Sequence, residues 1–302
     1  MVLNSMNNIL VSGHTGIEIT AKIRQFPIEY TPIEYEFYGV NTTISGVGFN
    51  IVKAIKTLGG DPIFFSVIGN DIYREIINNE IKNSGINTEY VLPIAEKTSQ
   101  SVILYNENKR KIICDLKNIQ EIKYPTEKID EVINTVDVAI LCNINYSREL
   151  LQKVKSYGKT IATDVHVLDD INDKYSKDFM AYSDILFLSN EKIRGREKEF
   201  LKRIIETYNN KIIAIGLGEN GVLIYIREEE QIKHYPAVKT RDIINTIGAG
   251  DALFSSFIYF YNKTKDPNYA IEKAIIFASY KIGENGAAQG FLSEEDLLGI
   301  KI

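Results

Sequence analysis

The stretch "NTIGAGDALFSSFIYFY", Asn245 to Tyr261, begins with glycines and a carboxylate and continues as a nearly unbroken apolar run. The apolar run predicts a buried helix. The first N–H groups of a helix have no partner within it, and together with the helix dipole they attract anions. Gly248 and Gly250 carry no Cβ, so the backbone there can approach a ligand closely. The stretch therefore predicts an anion-binding helix start, at which Asp251 is either an ordinary N-terminal carboxylate or a base beside the anion.

A second glycine-containing segment lies earlier in the chain. "SGVGFN", Ser45 to Asn50, directly precedes a helical pattern over residues 51–58, in which apolar residues recur at i, i+3, i+4 and i+7. Glycines and a polar side chain therefore precede this helix too. Two such helix starts in one α/β chain indicate a site for two ligands.

A third glycine motif, "GLGENG" at residues 216–221, matches the G-x-G-x-x-G pattern of dinucleotide-binding proteins. That pattern requires a helix after the glycines, whereas "VLIYI", which has the pattern of a strand, follows here. The segment therefore predicts a strand–turn–strand connection and argues against a Rossmann oxidoreductase. The sequence also lacks G-x-x-x-x-G-K-[ST], which argues against a P-loop enzyme.

Short apolar runs alternate with amphipathic helical patterns, which is typical of a three-layer α/β fold with a mostly parallel central sheet. Residues 17–45 and 98–116 are instead predicted to form strands with no helix between them, with "NENKRK" (106–111) as a hairpin turn. These strands are interpreted as a small β-sheet that is either a lid over a site or a plain edge hairpin. Because no linker divides the chain, residues 1–302 are predicted to be one domain. The strands predicted for the main sheet are 8–13, 61–69, 137–143, 159–165, 184–190 and 211–217.

The composition argues against several kinds of partner. The chain carries 40 acidic and 35 basic residues, a net charge of −5, so no basic excess is available to neutralise nucleic-acid phosphates. The basic run "NKRK" (108–111) is interpreted as solvated loop charge. No apolar run approaches the ~20 residues of a membrane span and no signal peptide is recognised, so a cytoplasmic protein is predicted.

Cys114 and Cys142 lie in apolar runs and are predicted to be buried free thiols, and no Cys/His cluster indicates zinc.

Two long motifs resemble those of a known family. "NTIGAGDALFSSF" resembles the D-T-x-G-A-G-D signature of the ribokinase-like (PfkB) carbohydrate kinases, and "SGVGFNIVKAIKTLGGDPIFFSVIGND" resembles their N-terminal signature, G-G-x-x-x-N-x-A…L-G…G-x-D. "LSNEK" and "IGLGENG" follow in the expected order. The resemblance implies transfer of the γ-phosphate of ATP, with Mg²⁺, to a hydroxyl of a small sugar or sugar-like substrate. It also implies a homodimer formed through the lid.

The resemblance assigns roles residue by residue. Asp251 matches the catalytic base, and the backbone of Gly248, Ala249 and Gly250 matches the anion hole. No side chain is assigned as a direct metal ligand. The other matches are Glu18, Gly46 and Asn50 at positions that contact the phosphate acceptor, and Asn190, Gly218, Gly221 and Thr246 at positions near ATP, with Asn190 also near Mg²⁺.

Several positions depart from the family pattern. Asn245 replaces the first aspartate of its signature, which in many relatives lies beside a K⁺-binding loop, so little dependence on K⁺ is predicted. Ile193 stands where the family motif N-x-x-E would place a glutamate. Gly16 stands where many sugar kinases have asparagine, and Ser45 replaces the first of two glycines. These changes bear on substrate identity and metal-ion binding, whereas Asp251 and its anion hole are intact.

Three functional interpretations stay open. The leading one is a sugar kinase, and a nucleoside kinase is the alternative within the same class. A sensor that binds a sugar or nucleotide with little turnover is the alternative of another class. Ile193 and Asn245 favour the sensor, whereas the intact Asp251 favours an enzyme. His14 and His166 lie near the predicted cleft and are interpreted as packing or hydrogen-bonding residues.

Overall fold

A computed structural model describes residues 8–106 and 109–300 of the chain. The strands are β1 (Asn8–Ser12), β2 (Gly16–Lys22), β3 (Val40–Ser45), β4 (Asp61–Gly69), β5 (Val91–Ala95), β6 (Gln100–Tyr105), β7 (Arg110–Asp115), β8 (Val138–Leu141), β9 (Thr160–Val167), β10 (Ile185–Ser189), β11 (Ile212–Gly216), β12 (Val222–Ile226) and β13 (Gln231–Tyr235). The helices are α1 (Val47–Thr57), α2 (Tyr73–Asn83), α3 (Asn145–Ser156), α4 (Lys177–Tyr182), α5 (Glu197–Thr207), α6 (Ala249–Thr264), α7 (Pro267–Lys281) and α8 (Glu294–Gly299). Within these described residues, no helix is both long and apolar enough to cross a bilayer.

The main sheet has nine strands in the order β13-β12-β11-β10-β9-β8-β1-β4-β5. Its pairings are parallel from β11 to β5, and β12 pairs antiparallel with both β11 and β13. All six strands predicted for this sheet are present, and β4 has the predicted bounds of 61–69. The predicted strand–turn–strand connection at "GLGENG" is also present, since a 3₁₀ turn joins β11 to β12.

Apolar side chains lie on both faces of the main sheet, as the continuous apolar runs predict. On β1, Ile9 and Val11 face one core, which includes residues of α1, α6 and α7, while Leu10 faces the other, which includes residues of α3, α4 and α5. Successive side chains of a strand point to opposite faces, so the two cores are separated by the sheet itself. The predicted three-layer arrangement is confirmed.

A second sheet of four strands, in the order β3-β2-β6-β7, forms the predicted lid. β6 and β7 pair antiparallel, with Tyr105 opposite Arg110, as expected of a hairpin. Residues 107 and 108 of the predicted turn lie outside the described residues. Between Lys22 and Val40 the chain forms no strand, so the region 17–45 contributes only β2 and β3.

Two local predictions need correction. α1 begins at Val47 rather than at 51, so Asn50 lies within the first turn of the helix. Cys142 is buried as predicted, but Cys114 is exposed, and its predicted burial is wrong. Cys114 lies on β7, an edge strand of the lid that has a strand neighbour on one side only, and all six residues of β7 are exposed.

Candidate active site

The start of α6 is shaped by two glycines with different surroundings. Gly248 has φ 75°, and a Cβ built on it would lie 2.5 Å from the carbonyl oxygen of Ala287. A Cβ on Gly250 would meet no atom of the described chain within 4 Å. The Ala249 N–H donates to the Thr246 carbonyl at 3.2 Å, so this amide is engaged within the turn rather than turned to a ligand. In the described structure no backbone hydrogen bond engages the N–H of Gly250 or Asp251, so these amides are available to an anion.

Asp251 lies at this helix start and is held from the second glycine segment. The side-chain amide of Asn50 donates to Asp251 Oδ2 at 2.7 Å. Burial raises the pKa of Asp251 to about 6, and the neighbouring Asp164 acts in the same direction. The charges of His166 and Lys281 and the Asn50 hydrogen bond favour the ionised form. A carboxylate with this pKa is ionised at neutral pH and is still basic enough to accept a proton.

Ser45 links the acceptor side of the site to this carboxylate. Its hydroxyl oxygen lies 3.0 Å from Glu18 Oε2 and 3.2 Å from Asn50 Oδ1. A hydroxyl has one hydrogen, so it donates to one of these two oxygens at a time. Ser45 therefore lies within hydrogen-bond distance of both Glu18 and Asn50, the residue that holds Asp251, although the sequence indicated it only as a departure from the family pattern. The signal was present in the sequence, because Ser45 directly precedes Gly46 at the helix start.

Glu18 presents an unpaired oxygen in the interior of the site. Only 6% of the residue is exposed, and Oε1 has no hydrogen-bond partner among the described residues. Burial raises the pKa of Glu18, offset in part by the Ser45 hydroxyl, the charge of Lys281 and the amide of Ala287. The Ala287 amide acts on the carboxylate without completing a hydrogen bond. A buried, unpaired acceptor marks a place where a ligand can donate.

The residues around Gly16 explain the missing asparagine. A Cβ on Gly16 would lie 2.6 Å from both the carbonyl and the hydroxyl oxygen of Ser99, so a side chain here requires Ser99 to move. Ser99 Oγ lies 2.5 Å from His14 Nε2, and burial lowers the pKa of His14 to about 4. His14 is therefore neutral at physiological pH and has a hydrogen-bonding role. A Cβ on Gly46, which has φ 110°, would lie 2.7 Å from the His14 carbonyl oxygen, so glycine is required there.

The side of the site that is predicted to bind ATP contains a carboxylate that the family pattern does not locate. Asn190 follows β10, and its side-chain amide donates to Glu197 Oε1 at 2.9 Å. Ile193 is fully buried in the apolar core, so no carboxylate occupies that position. The Asn190 hydrogen bond lowers the pKa of Glu197. A carboxylate beside Asn190 is thus present seven residues after the asparagine, at Glu197, the first residue of α5.

The chemistry of this pair fits Mg²⁺. Magnesium is usually held in proteins by one or two oxygen side chains together with substrate phosphates and water. The Glu197 carboxylate and the Asn190 amide provide oxygen atoms at the end of β10, on partly buried side chains. They are therefore the residues that would hold the ion.

The turn between β11 and β12 contains two glycines with different requirements. Gly221 has φ 89°, and a Cβ there would lie 2.0 Å from the carbonyl oxygen of Tyr235. Packing against β13 therefore explains this glycine without a ligand. Gly218 has φ 62°, and a Cβ on it would meet no described atom within 4 Å, so its surface is open to a nucleotide.

The lid reaches the α6 start through Arg110. Its guanidinium donates to Thr246 Oγ1 at 3.2 Å and lies 3.7 Å from Glu191 Oε1. Arg110 is exposed, as predicted for "NKRK", but it lies on β7 rather than in a loop, and its guanidinium contacts the start of α6. The pairing of β7 with β6 was predictable, but the contact with Thr246 depends on how the lid folds over the main sheet.

The profile described as "pfkB family carbohydrate kinase" matches residues 6–294 of the chain. The chain belongs to the PfkB family. This confirms the predicted family and the predicted activity class, an ATP-dependent carbohydrate kinase. The PfkB chain is 24% identical to the deoxyribokinase of Salmonella typhi, over 95% of its length and 96% of the relative's.

Solved structures share the fold of this PfkB chain. A microbiome-derived acarbose kinase superposes with a TM-score of 0.86 at 21% identity, covering 98% of each chain. The ribokinase of Arabidopsis thaliana, solved with ribose and ATP, superposes with a TM-score of 0.78 at 17% identity, covering 97% of each chain. The predicted ribokinase-like fold, with its β-sheet lid, is confirmed.

Proposed function

We propose that this chain, acting as one kinase domain, transfers the γ-phosphate of ATP to a hydroxyl of a small, neutral sugar. The observation that carries the proposal is the Asp251 carboxylate, held by Asn50 at 2.7 Å beside the unengaged amides of Gly250 and Asp251. A base and an anion-binding helix start in one place suit an attack by a hydroxyl on a phosphoryl group.

In this reaction the acceptor hydroxyl lies against Asp251. The carboxylate takes the hydroxyl proton as the oxygen bonds to the γ-phosphorus and the bond from phosphorus to the ADP oxygen breaks. Negative charge on the transferring group is stabilised by the N–H groups at the start of α6. The amide of Asn50 holds Asp251 in place during the transfer.

The acceptor pocket favours a neutral polyhydroxylated molecule. Glu18 offers an unpaired carboxylate oxygen to a substrate hydroxyl. In the lid, Ser101 on β6 pairs with Glu18, so a hydroxyl lies on the strand beside this carboxylate. Cys114 on β7 pairs in turn with Ser101. With Glu18 and Asp251 both bearing carboxylates, an acceptor that already carries a phosphate would add a like charge to the pocket.

On the nucleotide side, Mg²⁺ held by Asn190 and Glu197 would neutralise phosphate charge when bound. Glu197 also fixes the orientation of Asn190 through their 2.9 Å hydrogen bond. The open surface of Gly218 and the hydroxyl of Thr246 are proposed to contact ATP, and Arg110 connects this side to the lid.

The lid is proposed to form a homodimer contact. Large apolar side chains protrude from the segment between β2 and β3. An exposed apolar patch of this kind is typical of a protein–protein contact. The most exposed of them are Tyr30 (91%), Ile33 (71%), Tyr35 (74%), Phe37 (83%) and Tyr38 (99%).

The test is ADP release from Mg·ATP with a panel of pentoses, hexoses, deoxy sugars, sugar phosphates and nucleosides. The expected result is that one or more neutral sugars give turnover well above the Asp251→Asn variant. Preference for a nucleoside would establish the alternative kinase. Binding of sugars without turnover above Asp251→Asn would favour the sensor and contradict the proposal.

A further inference from the structure

Lys281 has no exposed surface, although it is a lysine at the last position of α7. Its ammonium donates to the carbonyl oxygen of Ile247, the residue directly before Gly248. A buried charge is costly unless it is paired and hydrogen-bonded, so a fully enclosed ammonium at this position calls for a specific role.

The contact with Ile247 lies directly before the anion-binding amides. Gly248 is the N-cap residue of α6, so the N–H groups of Gly250 and Asp251 have no partner within the helix. No backbone hydrogen bond of the described chain takes either N–H, and Lys281 holds the Ile247 carbonyl that leads into this turn. The ammonium therefore fixes the backbone at the point where these amides begin.

Charged groups from three other elements face Lys281. The carboxylates of Asp251 on α6 and Glu18 on β2 favour the ammonium form, whereas the guanidinium groups of Arg110 on β7 and Arg241 oppose it. Burial is the larger effect and lowers the pKa of Lys281 to about 8. The same lysine charge favours the ionised forms of both carboxylates. Lys281 is thus coupled to the proposed base and to the proposed acceptor ligand together.

Hydrogen bonds join the two segments that flank the contact between Lys281 and Ile247. The N–H groups of Ile244 and Asn245 both donate to the carbonyl of Ile282, at 2.9 and 3.2 Å. The side-chain amide of Asn245 donates to Asn285 at 3.1 Å, and its oxygen accepts from the N–H of Ile247 at 3.1 Å. The segment that precedes the anion site is therefore fastened to the segment that follows α7.

We propose that the Lys281 ammonium takes the place of a bound monovalent cation in this active site. It is a positioning residue that fixes the Ile247–Gly248 turn and favours the ionised forms of the Asp251 and Glu18 carboxylates. Carbonyl oxygens are ligands that hard cations select, and here a covalently attached ammonium donates to the carbonyl oxygen of Ile247. The kinase therefore needs no K⁺ or other monovalent ion. This inference rests on the proposed role of Asp251.

Two substitutions separate charge from packing. Lys281→Met keeps the length of the side chain but removes its charge. Lys281→Ala removes the charge and leaves room beside the same oxygen atoms, into which K⁺ or NH₄⁺ can enter. Lys153→Met is the matched control, because the Lys153 ammonium also donates to a carbonyl, that of Thr126, and to one carboxylate, that of Asp130, away from the site.

The kinetic experiment measures kcat/KM in tetramethylammonium buffer of constant ionic strength, with K⁺ or NH₄⁺ titrated in. The wild type and Lys153→Met are expected to change less than twofold. Lys281→Met is expected to lose roughly 10²-fold, with the acidic limb of its pH profile moved to higher pH, because Asp251 loses a neighbouring positive charge. The kcat/KM of Lys281→Ala is expected to rise at least tenfold when K⁺ or NH₄⁺ is added. A neutral solute such as methanol is expected to leave it unchanged.

The second measurement does not depend on turnover. Thermal unfolding is followed while K⁺ replaces tetramethylammonium. An ion that binds the folded state raises the melting temperature, so Lys281→Ala is expected to gain about 2–4 °C, and the wild type is expected not to change. If no acceptor is found for the wild type, the proposed function fails, and this comparison still decides the role of Lys281.

Three outcomes would overturn the inference. One is strong activation or thermal stabilisation of the wild type by K⁺. Another is a folded Lys281→Met variant with wild-type kcat/KM and an unmoved acidic limb. The third is a Lys281→Ala variant whose activity and melting temperature ignore K⁺ and NH₄⁺. If both variants fail to fold, the ion titration of the wild type alone decides, because the inference requires the wild type to be indifferent to K⁺.

Discussion

The side-chain amide of Asn50 and the carboxylate of Asp251 meet at 2.7 Å, although 201 positions separate them in the chain. Asn50 lies in the first turn of α1, and Asp251 lies in the first turn of α6. The two glycine-containing helix starts therefore converge, and a hydrogen bond joins the acceptor side to the proposed base.

The first prediction concerns pH. Asp251 must be ionised to take a proton, and burial raises its pKa to about 6. Below this value the carboxyl is protonated and cannot act as a base, so kcat/KM should rise as pH increases through about 6. Asp251→Asn should lower kcat by ~10²–10⁴ while leaving ATP binding close to normal. A pH profile measured from 4.5 to 8 checks this, and an acidic limb near 4 would contradict it.

The second prediction concerns Ser45. Ser45→Ala removes the hydroxyl that lies between Glu18 and Asn50, and leaves buried acceptors with one partner fewer. Loss of such a bond costs about 1–3 kcal/mol, so the KM for the acceptor sugar should rise while that for ATP stays near its original value. Ser156→Ala is the control, because it removes an exposed hydroxyl on α3 that donates to the carbonyl of Lys153. Equal increases in both KM values would exclude a specific role at the acceptor side.

The third prediction concerns Glu197. Glu197→Gln keeps the size of the side chain but removes the charge beside Asn190, so a higher Mg²⁺ concentration should be needed for half-maximal activity. Calorimetric titration of Mg²⁺ into the protein with a non-hydrolysable ATP analogue should show the same weakening. Glu199→Gln, an exposed glutamate on the same helix, is the control. If both variants bind Mg²⁺ alike, Glu197 has no part in holding the ion.

The fourth prediction concerns the two thiols. Cys114 is exposed on the lid and Cys142 is buried, so a thiol reagent should modify one cysteine in the native protein and two after unfolding. Burial and the nearby charge of Glu18 raise the pKa of Cys114, so modification should be slow at neutral pH and should accelerate as pH rises. A saturating sugar should protect Cys114, because the register places it two strands from Glu18 on the lid. Cys114→Ser should show no native modification.

The fifth prediction concerns assembly. Phe37 and Tyr38 are 83% and 99% exposed on the lid, and we expect them to be covered in a homodimer. Light scattering should give about twice the 34.3 kDa chain mass for the wild type, and a mass near 34.3 kDa for the double variant Phe37→Glu and Tyr38→Glu. Leu298→Glu replaces an exposed apolar residue on α8, which packs against α7, and should leave the mass unchanged. A wild-type mass near 34.3 kDa at micromolar concentration would contradict the homodimer.

The main sheet could be predicted from the sequence because strands covered on both faces are apolar throughout, as in residues 61–69. The contacts that complete the site could not. Glu197 lies beyond the expected motif spacing, and its place beside Asn190 depends on the turn before α5. Arg110 reaches Thr246 only once the lid is folded over the main sheet.

Lys281 shows a different limit. It lies four residues after Phe277 and seven after Ala274, so it shares their buried face of α7. A lysine at such a position is ordinarily expected to extend to solvent. Its ammonium donates to the carbonyl of Ile247, and the charges of Asp251 on α6 and Glu18 on β2 favour it, an arrangement that no local pattern contains.

Alanine substitutions of the two glycines at the start of α6 would give different results in a mutational screen. A methyl group on Gly248 collides with the Ala287 backbone, so its loss would appear as misfolding or low yield. A methyl group on Gly250 enters open space, and alanine is the better helix former by about 1 kcal/mol. A survey that scores expression or melting temperature would thus rank Gly250→Ala as neutral or beneficial, although the added methyl group would occupy the space proposed for the phosphate.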